Sequence, residues 1–177
     1  LGAKTFGYSL KPQTYPNHFD LLDQQIDSTF ADIRDHESLE NNIKTFNPDI
    51  IFHLAAQPLV RRSYKNPLET YEINILGTLK LFEICNKYGI KAIVNITSDK
   101  VYDNKEWFWG YRENDILGGY DPYSSSKACV EIMSESYRKS FFNINDYKIK
   151  HNTLLATCRA GNVIGGGDWA EDRLIPD

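Results

Sequence analysis

From residue 49 onward, short runs of β-branched and apolar residues alternate with longer stretches whose apolar positions recur every three or four residues. The run Asp49 to Leu54 (DIIFHL) is continuously apolar in its middle and predicts a strand covered on both faces, as in a parallel sheet. Lys91 to Thr97 and Thr153 to Ala160 predict two more strands, and Ala3 to Ser9 and the weaker Asp27 to Ile33 predict two earlier ones. Helical periodicity fills the gaps. Asp35 caps a helix from His36 to Phe46 that Asn47-Pro48 stops. Asn66, Pro67 and Glu69 open a longer helix that runs to about Tyr88 and stops at Gly89. Asp121-Pro122 opens a third, to about Tyr137, after a long aromatic loop from Tyr102 to Tyr120.

Strands alternating with helices imply right-handed crossovers, and so an α/β fold built on a doubly wound parallel sheet. Ligands bind such sheets beyond the carboxyl ends of the strands. The polar clusters His53 to Gln57, Ser98 to Tyr102 and Asn162 to Asp168 all follow predicted strands. On the helix at 67–88, Ile75, Leu79 and Phe82 belong to an apolar surface wider than one sheet contact needs, which predicts a second contact with a partner subunit.

Composition narrows the function classes. The net charge of -4 offers nothing to neutralise a phosphate backbone, which argues against nucleic acid. No apolar run approaches the roughly 20 residues of a membrane-spanning helix. No secretory signal is visible, and the setting predicted is cytoplasmic and reducing. The three cysteines, Cys85, Cys129 and Cys158, lie far apart and in apolar contexts, so they predict buried small hydrophobes and no metal site.

The residues that carry chemistry are Tyr123-Ser124-Ser125-Ser126-Lys127. Side chains four apart on a helix share a face, so the phenol and the ammonium converge, and a nearby cation stabilises phenolate. A Tyr-x-x-x-Lys spacing alone arises often by chance. Its weight comes from Ser98, at the tip of an apolar strand, whose hydroxyl can hydrogen-bond a substrate oxygen while Tyr123 takes that oxygen's proton. Asn74 completes an ordered set. Asp32 and Ile33 follow a strand where a carboxylate can reach an adenine amino group. Leu54, Ala55, Ala56 and Gln57 put small residues where a backbone must approach a cofactor.

With these strings in place the chain resembles the extended short-chain dehydrogenase/reductase family. HLAAQ, the NxxGT of Asn74 to Thr78, the TSDKVY of Thr97 to Tyr102, YSSSK, and RAGNVIGGGDW of Arg159 to Trp169 occur in that family's order. The strings WFWGYREND, LGGYDPYSSSK and GNVIGGGDWAEDRLIPD are similar to the branch that dehydrates CDP-glucose across carbons 4 and 6. That resemblance implies a Rossmann-type domain holding NAD and a nucleotide-sugar substrate. It implies Tyr123 as the group that deprotonates the 4-hydroxyl, with Lys127 tuning it and binding the nicotinamide ribose. Ser98 would orient the hydroxyl, and Asp99 would protonate the departing 6-hydroxyl. Lys100 stands where thymidine-linked relatives are expected to carry a glutamate base. Asn162, Asp168, Trp169 and Arg173 resemble the segment that grips the sugar nucleotide, and the helices at 67–88 and 122–137 would form a homodimer.

The same resemblance implies that residues 1–177 are the central part of the NAD-binding domain, truncated at both ends. The first strand and glycine-rich turn would precede Leu1, and residues 162–177 would lead into a sugar-nucleotide domain. Without that turn the piece alone is expected to hold NAD weakly or not at all and to have no turnover. Another nucleotide-sugar dehydratase, an epimerase, a ketoreductase and a non-catalytic dimerising domain remain alternatives.

Overall fold

The computed structural model describes residues 2–22 and 26–172. Among these residues, five parallel strands carry the fold: β1 (Phe6–Ser9), β2 (Asp27–Phe30), β3 (Ile50–His53), β4 (Ala92–Ile96) and β5 (Leu154–Cys158). Among the described residues they pair within two sheets, β1 with β2 and β3-β4-β5 in that order. The register runs from Phe6 opposite Asp27, Ile50 opposite Ala92, and Ala92 opposite Leu154. Each crossover passes through helix, as the alternation of periods predicts.

The helices are α1 (His18–Leu21), α2 (His36–Phe46), α3 (Val60–Lys65), α4 (Pro67–Tyr71), α5 (Thr78–Tyr88) and α6 (Pro122–Ser140). Asp35 caps α2 by accepting from the Ser38 N–H at 3.0 Å, as its sequence position predicts. The long helix expected at 67–88 is present but interrupted. Residues Glu72–Gly77 form a π-turn between α4 and α5, and Gly89 ends α5 in the left-handed region at φ 64°. Asn66 makes no side-chain cap bond, contrary to expectation; its carbonyl instead accepts from the Thr70 amide and hydroxyl.

One side of β3-β4-β5 is packed. Ile93 and Leu155 bury against Leu81, Phe82 and Cys85 of α5 and Tyr137 of α6, with Leu39 and Ile43 of α2 in the same core. The other side is open: Ile50 is 52% and Phe52 65% exposed. This corrects the expectation of a strand covered on both faces. The strand is apolar on both faces, but the described helices cover only one. Strand alternation also places Cys158 on the open side with Leu154 and Ala156, and Cys129 is exposed on α6, so only Cys85 is the buried hydrophobe expected.

The aromatic loop enters α6 through one close contact. A Cβ on Gly119 would lie 2.2 Å from the Ser125 nitrogen and 2.3 Å from the Ser124 carbonyl carbon. Gly119→Ala therefore pushes the loop off the first turn of α6, at a cost of about 2 kcal/mol or more, a fall in Tm of roughly 4–8 °C for a domain of this size. Gly110→Ala, in open space within the same loop, should leave Tm unchanged. Thermal denaturation of the two variants checks the pair.

Candidate active site

The carboxyl ends of both sheets open on one cleft of about 1090 Å³. Its walls include Ser9, Asp32, Leu54, Thr97 and Ala160, each at or just past the end of a different strand. The chain bends away from β4 at Thr97 and Ser98, both buried. Ser98 caps a 3₁₀ turn, Asp99–Val101: its hydroxyl accepts from the Lys100 N–H at 3.2 Å and donates to the Asp99 carboxylate at 3.1 Å. The Asp99 N–H donates to the Ala160 carbonyl at 3.0 Å, which ties this turn to the chain leaving β5.

Helix α6 brings the second half of the site. Asp121 caps it, accepting from the Ser124 N–H at 2.9 Å and the Ser124 hydroxyl at 2.6 Å. Pro122 occupies the first turn, so Tyr123 stands at the cleft with Lys127 one turn further in. Lys127 is buried and its ammonium donates to the Ile96 carbonyl at 3.0 Å, directly behind Ser98. Burial holds its pKa down to about 8, against an upward pull from Glu131. The Tyr123, Lys127 and Ser98 expected from sequence thus line one cavity, with Asp99 and Lys100 exposed at its wall.

The three serines of YSSSK have separate tasks. Ser124 closes the cap, Ser125 shares a 2.7 Å hydrogen bond with the Tyr71 hydroxyl, and Ser126 donates to the Tyr123 carbonyl while accepting from Asn74 at 2.8 Å. Asn74 sits in the π-turn, where its amide oxygen accepts from the Gln57 N–H at 2.8 Å and its nitrogen donates to the Gln57 carbonyl at 3.2 Å. The Gln57 side chain is used up on Leu59 and Thr70. Neither Gln57 nor Asn74, both read from sequence as cofactor contacts, is among the residues that line the cleft. Their hydrogen-bonding capacity is spent fixing the cleft's backbone from behind.

Leu54, Ala55 and Ala56 do line the cleft, as do Asp32 and Ile33. The Asp32 carboxylate is already gripped by Arg34, 2.7 Å and 3.0 Å away, which holds its pKa below the usual carboxylate range. His53, beneath this wall, bonds the Thr78 hydroxyl at 2.8 Å, and burial with the Lys127 charge pushes its pKa down to about 3. It is a neutral structural residue at any working pH.

On the substrate side, Asn162 and Asp168 line the cleft and Trp169 does not; Arg173 lies outside the described residues. Sequence reading passes over Tyr8 and Leu10, and over Arg61, whose guanidinium meets the Asp172 carboxylate at 2.7 Å across the cleft's rim. An arginine following a predicted strand and its turn is the available signal for Arg61. Among the described residues no cluster of metal-ligating side chains occurs, and no helix is long and apolar enough to cross a membrane.

Residues 11–151 match the family profile described as GDP-mannose 4,6 dehydratase. The chain is 56% identical over 180 residues to the CDP-glucose 4,6-dehydratase of Salmonella typhimurium, a match covering 100% of this chain and 50% of that protein. Its structure is similar to UDP-glucose 4-epimerase of Thermus thermophilus in complex with NAD, with TM-score 0.74 and 26% identity, covering 86% of this chain and 47% of that one. It is also similar to DesIV, a dTDP-glucose 4,6-dehydratase from Streptomyces venezuelae with NAD and TYD bound, with TM-score 0.74 and 25% identity, covering 87% and 44%. The fold is thus Rossmann-type α/β. The chain spans about half the length of these proteins.

Proposed function

The chain belongs to the GDP-mannose 4,6-dehydratase family, and on that premise we propose that it forms the catalytic cleft of an NAD-dependent CDP-glucose 4,6-dehydratase. The observation that carries this reading is the convergence of Tyr123, Lys127, Ser98, Asp99 and Lys100 on one cavity, with the Lys127 cation buried behind the Ser98 strand tip.

The cavity suits a nicotinamide dinucleotide. Its walls include Tyr8, Ser9 and Asp32 as well as Tyr123 and Lys127, with the small residues Ala55 and Ala56 among them. Asp32, Ile33, Leu54, Ala55 and Ala56 would hold the adenosine side, and Tyr123 and Lys127 the nicotinamide ribose. When bound, that cofactor supplies hydride acceptance from carbon 4 and hydride return at carbon 6.

The side chains supply proton movement and orientation. Ser98 holds the sugar 4-hydroxyl, and Tyr123 removes its proton while the Lys127 charge stabilises phenolate. The resulting 4-ketone acidifies the carbon 5 proton. Loss of that proton with the 6-hydroxyl eliminates water, and Asp99 gives the leaving oxygen its proton. The carbon 5 proton needs a base; Lys100, at the cleft wall, serves as that base only in its neutral form, and otherwise positions charge while another group takes the proton. Asn162 and Asp168, which line the cleft, are the proposed contacts to the sugar nucleotide, with Trp169 and Arg173 proposed from the resemblance alone. Leu68, Leu76 and Ile132 leave apolar surface exposed on the α4–α5 helix and α6, which supports a homodimer through those helices. A cytoplasmic setting accords with nucleotide-sugar chemistry.

The test is product analysis with the full-length protein against CDP-, dTDP-, GDP- and UDP-glucose. The expected result is a 4-keto-6-deoxy sugar from CDP-glucose in preference to the others. A product epimerised at carbon 4 with its 6-hydroxyl intact would replace this reading with an epimerase. Stoichiometric release of free reduced nucleotide would replace it with a ketoreductase, and no turnover together with a stable dimer would leave the non-catalytic alternative.

A further inference from the structure

Four residues below the cleft, in the body of α6, Glu131 is 2% exposed and surrounded by donors from the ends of β4 and β5. Its carboxylate accepts from the hydroxyl of Thr97, from the Thr157 hydroxyl at 3.0 Å, and from Arg159 at 3.1 and 3.2 Å. Burial pushes its pKa up, but Arg159 and the two hydroxyls outweigh that and keep it below the usual range. Arg159 also reaches outward. It donates to the Tyr102 hydroxyl at 2.9 Å and to the Glu113 carbonyl at 2.8 Å. Tyr102 stacks on Tyr111 with centroids 4.8 Å apart, and Tyr111 packs against Trp107 at 5.3 Å.

A buried ion pair is weak evidence for stability, because desolvation of both charges offsets their attraction. What this one does well is fix geometry. Two of its partners stand beside functional groups: Thr97 precedes Ser98, and Arg159 precedes the Ala160 carbonyl that receives the Asp99 N–H and itself reaches Tyr102, the root of the aromatic loop that leads into Tyr123.

We propose that Glu131 and Arg159 are positioning residues for the dehydratase reaction, holding the Thr97–Ser98–Asp99 strand tip and the root of the aromatic loop in register with Tyr123 through hydrogen bonds to Thr97 and Tyr102. This rests on the reading of Ser98, Asp99 and Tyr123 as reacting groups. The link that matters runs through the Thr97 hydroxyl; the Thr157 bond to the same carboxylate anchors β5, away from the reacting groups.

That difference gives the experiment. In the full-length protein, Thr97→Val should lower kcat about 10–100-fold, since misplacement of a reacting group by about 1 Å costs that much, with KM changed less than about 3-fold. Thr97→Ser should restore kcat to within about 3-fold. Thr157→Val, which removes the other hydroxyl, should leave kcat within about 3-fold even where Tm falls as far as in Thr97→Val. Glu131→Gln should reproduce the loss in kcat. If it does not fold, the threonine comparison still decides. Equal kcat losses in Thr97→Val and Thr157→Val, or full activity in folded Thr97→Val, would overturn the proposal. Amide hydrogen exchange over residues 97–103 is read in parallel. It should quicken in Thr97→Val and Glu131→Gln but not in Thr157→Val. If the wild type turns over no nucleotide sugar, the functional reading falls, and exchange alone decides whether Glu131 holds this segment. Unchanged exchange in a folded Glu131→Gln protein would contradict that too.

Discussion

Tyr123→Phe will lower kcat by about 10²–10⁴-fold, while NAD affinity falls by about 10-fold or less through loss of the phenol's contact to the nicotinamide ribose. The substitution removes one hydroxyl from the cleft wall and keeps the ring. In the proposed mechanism that hydroxyl accepts the proton of the sugar 4-hydroxyl, and general-base catalysis by a positioned group contributes this range. The helix start that presents residue 123 is secured by Asp121, Pro122 and the Ser126–Asn74 bond, none of which uses the phenol oxygen. The loss should therefore fall on the chemical step. Steady-state kinetics with a cofactor-binding titration separates the two, and an unfolded or cofactor-free variant would contradict the local account.

Lys127→Met should raise stability while lowering activity. Lys127 carries a charge into a buried site that holds its pKa at about 8, below the ordinary lysine value of 10.5. The sign follows from proton binding. Between about 8 and 10.5 the unfolded chain holds a proton that the folded chain has released, so Lys127's penalty is fully present below pH 8 and is relieved as pH rises through that window. The gap corresponds to about 3 kcal/mol as an upper bound. Methionine avoids the charge but leaves the Ile96 carbonyl without its donor, which takes back part of the gain. At about pH 7 the variant should be more stable by about 1–3 kcal/mol, with the advantage shrinking toward about pH 10, while kcat falls by about 10²-fold or more. Denaturant titrations near pH 7 and about pH 9.5, beside kcat, check both halves. A destabilised Lys127→Met at neutral pH would show that the buried cation is held by more than the Ile96 carbonyl and Glu131.

Such a trade of stability for function is expected where a cation must sit in a dry place. It also explains what is legible in the sequence. The strands and long helices announce themselves by period, and Tyr123 and Lys127 announce their shared face by spacing alone. Ser98 is readable because a polar cluster at the end of an apolar run has few other uses. Cys129 and Cys158 depart from expectation because apolar neighbours in sequence do not make a residue buried. Cys129 lies on the outer side of α6, and Cys158 alternates onto the open side of β5. Gln57 and Asn74 carry the polarity expected of ligand contacts, but only the fold reveals the backbone groups and the Thr70 and Ser126 hydroxyls that they bond. Glu131 is invisible for a related reason. One turn past Lys127 it reads as a solvated helix carboxylate, and its partners Thr97, Thr157 and Arg159 come from other parts of the chain. The short helix α3, VRRSYK, has too few turns for a period to emerge.

The central claim is that one phenol, supported by a buried cation, opens the reaction at carbon 4. The most direct test follows deuterium placed at carbon 4 of CDP-glucose through a single turnover of the full-length protein. The account predicts that wild type delivers the label to carbon 6 of the same molecule, and that Tyr123→Phe slows that delivery by about 10²-fold or more. Delivery at the wild-type rate by folded Tyr123→Phe would contradict it.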